Sequence, residues 1–295
     1  MLIALPPSQL LEIAGADAVV FAHAQFCNDV RALANGHWQW NAWLSPQGRV
    51  RAFFLLLRDG DERLRLLLRG GDAETLRAAL ARFVFRAKVQ LSKPGNAQVA
   101  GIEAANELLP YLDTTPLATE LVSSDGVTGL VLPGVTPRWL LLRQADASPI
   151  ATVTSAAALN RWRLADIRAG LPELVPPLHE QFLPQWLGLD RLDAVSVRKG
   201  CYPGQEIMAR LHFKGGNKRG LYRLEFHADA LPPSATALYL QDAAAVESVG
   251  VVVMSAWSAQ SRVEALAVLA ETPIDTTLRS ADTAAHQIKV VSRFR

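Results

Sequence analysis

The apolar pattern of the chain changes near residue 220, and this change constrains the fold more than any other feature. From Leu221 onward, short apolar segments lie between polar turns, which is typical of a small all-β sandwich or barrel. The segments are Tyr222–Phe226, Val249–Val253, Glu264–Val268 and Ile288–Val291. Before this point, strand and helix patterns are mixed, as in an α+β unit. We therefore predict two regions, 1–215 and 216–295.

Local signals in the first region predict particular elements. Residues 38–57 have the pattern of a hairpin that turns at Ser45-Pro46-Gln47-Gly48. Asp17 and Asp72 each precede a helical pattern, so we expect both to act as N-caps. A further helix is predicted over 155–162, and the glycines and prolines of 166–177 indicate a loop.

Composition limits the class of protein. Thirty basic residues face 28 acidic ones, for a net charge of +2, so no global charge attracts nucleic acid and direct nucleic-acid binding is not expected. Two cysteines, Cys27 and Cys201, are too few for a secreted disulfide framework and indicate a reducing compartment. Neither a signal peptide nor an apolar run of about 18 residues is visible. We expect a cytoplasmic monomer without a membrane segment.

The most informative stretch is a glycine-rich turn, Lys199-Gly200-Cys201-Tyr202-Pro203-Gly204-Gln205-Glu206. The residues after it have a helical composition, which places Cys201 just before a helix N-terminus with Lys199 nearby. Both features favour a thiolate over a thiol. One interpretation is a nucleophilic or redox-sensitive cysteine; the alternative is a small apolar residue that packs in the turn.

A second stretch, Lys214-Gly215-Gly216-Asn217-Lys218-Arg219, places glycines between cations. It is either an anion site for phosphate, a polyglutamate tail or RNA, or a solvated linker. It lacks the Walker pattern, so nucleotide hydrolysis is not indicated.

Two further side chains are candidates for a binding site. Trp162 precedes a Gly/Pro-rich loop, where an indole can stack on a flat heterocycle, although core packing is the commoner use of tryptophan. Asp29 is either a cap or a site carboxylate. The six histidines show no metal-binding spacing, and no metal site is predicted.

Taken together, these segments resemble the YgfZ family, whose signature is matched by the run from Lys199 to Glu206. The similarity extends over most of the chain. Its other parts are Phe182-Leu183-Pro184-Gln185, Leu189-Asp190, Val195-Ser196, Lys218-Arg219, Gly15-Ala16-Asp17, Asn28-Asp29-Val30, Pro46-Gln47-Gly48-Arg49 and Ile167-Arg168-Ala169-Gly170-Leu171-Pro172.

The resemblance implies a fold like that of the glycine-cleavage T protein. Two interwoven α+β subdomains and a C-terminal β-barrel would surround a central channel that binds tetrahydrofolate. The implied role is the maintenance of iron–sulfur enzymes, including those that thiolate tRNA, such as tRNA methylthiotransferase.

The resemblance also implies site residues. Trp162 matches a tryptophan implicated in folate contact, and Cys201 matches the signature thiol, with Lys199 and Tyr202 beside it. Arg168 stands where the family often has glutamate. A carboxylate for the pterin ring is then missing unless Asp166 substitutes, and the arginine would instead meet the glutamate tail.

Three functions follow as hypotheses. The first is a tetrahydrofolate-binding accessory protein that acts through Cys201. The second is a folate-dependent one-carbon transferase with an unknown acceptor. The resemblance to the T protein implies an acidic residue shortly after the hairpin glycine for aminomethyl transfer, and residues 48–54 contain no carboxylate, so that activity is not expected. The third, a nucleic-acid-binding module at 214–219, ranks last because the net charge is nearly neutral.

Overall fold

The computed structural model describes residues 2–5, 10–95, 97–144, 146–241, 247–280 and 287–294. These residues form sixteen strands and four α-helices. The strands are β1 (Ile3–Ala4), β2 (Leu10–Ala14), β3 (His37–Leu44), β4 (Val50–Arg58), β5 (Arg63–Leu68), β6 (Gln90–Ser92), β7 (Gln98–Ile102), β8 (Val122–Ser124), β9 (Val127–Leu132), β10 (Arg138–Arg143), β11 (Arg219–His227), β12 (Ala237–Leu240), β13 (Gly250–Ala259), β14 (Arg262–Ala270), β15 (Thr277–Ser280) and β16 (Ile288–Phe294). The helices are α1 (Ala18–Gln25), α2 (Ala73–Ala81), α3 (Ala156–Ala169) and α4 (Gln205–Lys214).

The first ten strands make two interwoven five-stranded sheets. One has the order β3-β4-β5-β2-β6 and the other the order β1-β7-β10-β9-β8. The chain begins in the second sheet, builds the whole of the first, and then returns to pair β7 with β1. This crossing confirms the predicted α+β fold of two interwoven subdomains.

The predicted hairpin is present as β3 and β4. Its turn closes through the Gly48 N–H, which donates to the Ser45 carbonyl at 2.8 Å. Gly48 has φ of +73°, a left-handed conformation that glycine adopts without strain. A register shift between Trp43 and Leu44 ends the regular pairing just before this turn.

The helices follow the predictions with two differences. The Asp72 side chain caps α2 by accepting from the Thr75 N–H at 2.8 Å, as expected. Asp17 makes no cap hydrogen bond, because its carboxylate accepts from the Lys88 N–H at 2.7 Å instead. The predicted loop at 166–177 is also wrong in its first part, since α3 continues until Gly170 adopts φ of +66°. None of the described helices is long and apolar enough to cross a bilayer.

The last six strands close into a barrel in the order β11-β14-β13-β12-β15-β16, which confirms the predicted C-terminal barrel. β11 and β14 pair along their whole length, from Arg219 opposite Ala270 to His227 opposite Arg262. The short strands β12 and β15 were not predicted.

One buried cluster joins the two sheets, α3 and the barrel. It includes Trp40 of the first sheet, Leu140 of the second, Ile167 of α3 and Leu266 of the barrel. Because these apolar side chains share one core, burial fixes α3 between the sheets and the barrel.

Candidate functional site

A cavity of about 760 Å³ lies between α3, the loop after β5 and barrel strand β13. Its volume falls within the usual range for small-molecule sites. The wall combines apolar side chains with polar and aromatic ones, which are Arg69, Asn160, Trp162, Arg163, Asp166, Glu173 and Trp257. This is the mixture that orients a flat, partly polar ligand.

Two consecutive glycines bring the backbone close to the cavity. Gly70 and Gly71 have φ of +82° and +83°. A Cβ on Gly70 would lie 2.8 Å from the Leu174 carbonyl group, and the Leu174 N–H donates to the Arg69 carbonyl at 2.7 Å. Only glycine fits this close approach of two chain segments.

Trp162 forms part of the cavity wall, but its ring is already covered. The Arg138 guanidinium lies over the indole at 4.6 Å from its centroid. A Cβ on Gly101 would lie only 2.6 Å from the ring, so the indole packs directly on that backbone. With 5% of its surface exposed, Trp162 closes the wall rather than offering an open stacking face.

Trp257 is the more accessible indole of the cavity and was not singled out from the sequence. The Asn160 amide nitrogen donates to the Trp257 carbonyl at 2.7 Å, and the Trp257 N–H donates to the Asn160 side-chain oxygen at 2.8 Å. A bulge between Trp257 and Ala259 interrupts β13 at this point, and bulges commonly re-aim a side chain. The seven tryptophans gave no signal that distinguished this one.

Asp166 is the buried charge at the centre of the wall. One of its carboxylate oxygens accepts from Arg69 at 2.7 Å and the other from Arg138 at 2.7 Å. Burial acts to lower the pKa of Arg69, but the carboxylates of Asp166 and Glu173 outweigh it and hold the pKa above its usual value. The Arg69 Nε has no hydrogen-bond partner among the described residues, so the triad retains a free donor.

Glu173 supplies a second carboxylate on the wall. It pairs with Arg163 at 3.1 Å, and both side chains are partly exposed. The cavity therefore has a buried carboxylate at Asp166 and an accessible ion pair at Glu173, and both carboxylates are acceptors for N–H groups of a heterocycle.

Arg168 does not belong to this cavity, contrary to the prediction. Its guanidinium pairs with Glu264 of the barrel at 2.5 Å, and the hydrogen bond to that carboxylate raises the pKa of Arg168. On α3, Arg168 lies two residues after Asp166 and so points about 200° away around the helix axis. Its contact ties α3 to the barrel.

The amine of Lys199 is directed toward the end of α1. Its Nζ donates to the carbonyls of His23 and Phe26 and, at 3.4 Å, of Asn28. Burial lowers the pKa of Lys199 to about 8, and the charged groups that act on it are Cys27, Asp29 and Arg31. The expected activation of Cys201 by Lys199 therefore has no support in this geometry.

The Tyr202 side chain also packs against the signature turn, residues 199–206. The Lys199 amine lies 4.8 Å from the centre of its ring, and its hydroxyl donates to the Ser196 carbonyl at 3.4 Å. Burial raises the pKa of Tyr202, which keeps the phenol neutral. Tyr202 is thus packed in the turn, and Cys201 beside it is exposed.

Asp29 is a local cap in this structure. Its carboxylate accepts from the N–H groups of Arg31 and Ala32 at 3.1 and 3.2 Å and lies 3.3 Å from the His23 ring. These contacts favour the cap interpretation over a binding role.

Apart from Arg168, the predicted residues therefore separate into two places. Trp162 and Asp166 meet at the cavity, whereas Asp29, Lys199 and Tyr202 meet at the end of α1. Among the described residues that line the cavity, none comes from the signature turn.

Comparisons with known proteins concern the chain as a whole. No family model matches the chain. The tRNA-modifying protein YgfZ of Serratia proteamaculans is 30% identical over 98% of this chain and 90% of its own length. The protein of the same name from Cronobacter sakazakii is 30% identical over 81% of this chain and 75% of its own.

A solved structure has the same fold. It is the glycine cleavage system aminomethyltransferase T from Bartonella henselae, with a TM-score of 0.69 and 14% identity, covering 96% of this chain and 82% of that one. At this identity the likeness concerns the fold.

Proposed function

Since the chain belongs to the YgfZ family, we propose that it is a tetrahydrofolate-binding accessory protein, monomeric and cytoplasmic, that supports iron–sulfur enzymes of tRNA modification. Its relatives carry the name tRNA-modifying protein, and this supports the tRNA part of the proposal. The two unpaired thiols, Cys27 and Cys201, suit a reducing compartment.

The observation that carries the folate part is the cavity between α3 and β13. Its volume of about 760 Å³ is sufficient for a pterin and its aryl tail. The unpartnered Arg69 Nε and the close approach allowed by Gly70 and Gly71 fit a polar ligand at this wall.

Named side chains would hold the ligand. Trp257 would provide the aromatic contact, Asp166 and Glu173 would accept from pterin N–H groups, and Arg163 would meet a carboxylate of the tail. When bound, tetrahydrofolate would supply a carrier for one-carbon groups.

A titration tests this part directly. Isothermal titration with tetrahydrofolate is expected to show binding to the full chain. Ala156 lines the cavity, so Ala156→Trp places an indole at its wall and should weaken or abolish the heat. Ala157 is also exposed on α3 and is not among the lining residues; Ala157→Trp should therefore bind like the unsubstituted protein. No heat with about 1 mM ligand would retire the proposal.

The supporting role toward iron–sulfur enzymes is assigned to the exposed thiol of Cys201. It rests on the resemblance of the signature turn and on the accessibility of the sulfur. In cells that lack the protein, Cys201→Ser should fail to restore thiolated nucleosides in tRNA, whereas Cys27→Ala should restore them because Cys27 is buried. If both variants restore thiolated nucleosides equally, the Cys201 thiol is not required for this function.

One-carbon transfer remains the alternative use of the cavity. The side chains after the hairpin turn do not favour aminomethyl transfer: Arg51 pairs with Glu180 at 2.8 Å, and Arg49 lies over the Trp186 ring at 4.8 Å. Incubation with methylene-tetrahydrofolate and candidate acceptors tests the alternative, and loss of the methylene group above the blank would establish it.

A further inference from the structure

The C-terminal half of α4 and the segment after it are largely exposed. Met208 is the one buried residue among those of α4, and Phe213 near its end is 73% exposed. Gly215 and Gly216 follow with φ of +68° and +86° and no atom within 4 Å of a Cβ placed on either. The space beside these two α-carbons is therefore open.

Three cations on this part of the chain have no acidic partner among the described residues. Arg210, Lys214 and Lys218 are exposed, and none of them takes part in an ion pair there. Elsewhere, exposed arginines such as Arg77 and Arg161 do have carboxylate partners. Glu206 is the one acidic residue of the sequence from 198 to 219, so the local charge is strongly positive.

The helical spacing groups an aromatic ring with two of these cations. Arg210, Phe213 and Lys214 are related by steps of three and four residues, which places them on one face of α4. The Phe213 ring lies perpendicular to the neighbouring His212 ring, with centroids 4.9 Å apart. An exposed ring between unpaired cations is suited to an unstacked base flanked by phosphates.

We propose that this basic face, defined as Arg210, Phe213 and Lys214 of α4 with Lys218 of the segment after it, binds RNA through its phosphate backbone and stacks one base on Phe213. An exposed aromatic ring favours RNA over an acidic protein segment, which needs only the charges. The expectation of no direct nucleic-acid binding rested on the net charge, which averages over the molecule and does not reveal a local patch. This proposal does not depend on folate binding.

Fluorescence anisotropy with a labelled tRNA transcript tests the proposal. Binding is expected at low salt and should weaken steeply between about 50 and 200 mM salt. The double variant Lys214→Gln/Lys218→Gln should make the slope of log K against log salt shallower by about 1.4–1.8. The charge-matched double variant Arg262→Gln/Lys289→Gln on the barrel should keep the original slope.

Phe213→Ala tests the stacking contact and leaves every charge in place. It should weaken binding about fivefold or more without a change of salt slope. No binding of tRNA at low salt would overturn the proposal, as would the same loss for the barrel variant. Polyglutamate that binds as tightly as tRNA, and through the same lysines, would overturn it in favour of an acidic protein partner.

Discussion

The Asn160 side chain hydrogen-bonds both the N–H and the carbonyl of Trp257, at 2.8 and 2.7 Å. This reciprocal pair joins α3 to the bulged part of β13 and fixes the backbone that carries the accessible indole of the cavity. The cavity is therefore built jointly by the α+β part and the barrel, and neither part alone contains both of its walls.

Removal of the Trp257 ring should weaken folate binding. Trp257→Ala is expected to lower the affinity for tetrahydrofolate about tenfold, because stacking of a heterocycle on an indole contributes about 1–3 kcal/mol. Trp257→Phe keeps a ring and should lose less. Isothermal titration measures both.

Arg168→Gln is the control for this prediction. Since Arg168 pairs with Glu264 rather than lining the cavity, its replacement should change the affinity less than twofold. A loss as large as that of Trp257→Ala would restore the sequence-based assignment of Arg168 to the folate site.

Asp166→Asn should destabilise the protein. The substitution leaves Arg69 and Arg138 without the buried carboxylate that both contact, and breaking a buried ion pair costs about 3–5 kcal/mol. Urea unfolding measures the change. The control is Asp61→Asn, because Asp61 pairs with Arg58 and its side chain is 80% exposed. This variant should leave the midpoint of urea unfolding unchanged. Equal unfolding midpoints for the two variants would contradict a stabilising role of Asp166.

The buried thiol of Cys27 should lower the free energy of unfolding at alkaline pH. Burial raises the pKa of this thiol from 9.0 to about 12, so above pH 9 the unfolded chain releases a proton that the folded chain retains. The free energy of unfolding should then fall by about 1.4 kcal/mol per pH unit above pH 9 relative to Cys27→Ala.

The lowered pKa of Lys199 acts in the opposite direction above pH 8. It is present in both proteins and cancels in the comparison except for the charge interaction between Cys27 and Lys199. If the free energy of unfolding follows the same pH dependence in the unsubstituted protein and in Cys27→Ala up to pH 10.5, the prediction is contradicted. The Cys27 thiol would then have the same pKa in the folded and unfolded chains.

Lys199→Met should lower the stability of the fold without changing the reactivity of Cys201. The folded state loses the donor to the His23 and Phe26 carbonyls, at a cost of about 1–3 kcal/mol of stability. The rate of alkylation of Cys201 by iodoacetamide near neutral pH should change less than twofold, because the amine is directed at those carbonyls. A several-fold slower reaction would show that Lys199 does activate the thiol.

The architecture was accessible to sequence reasoning because local signals agreed with it. Residues close together in sequence determine the hairpin turn at Gly48, the Asp72 cap and the four strong barrel strands. The loop predicted over 166–177 begins too early. Gly170, the first glycine of that segment, is the residue that ends α3. The domain boundary at 215/216 stays a prediction.

The site was less accessible, because it depends on contacts between distant segments. Nothing near Trp257 in sequence indicates that Asn160 orients it, and nothing near Lys199 indicates that the end of α1 receives its amine. Arg168 and Asp166 are two residues apart in sequence, yet one contacts the barrel and the other the cavity wall, a separation that helical geometry imposes once α3 extends past them.

A crystal structure of the full chain with tetrahydrofolate would show directly whether the cavity is the folate site. We expect ligand density between α3 and β13, with the pterin against Trp257 and its N–H groups facing Asp166 or Glu173. Ordered ligand density at the signature turn around Tyr202, with the cavity holding only solvent, would contradict it.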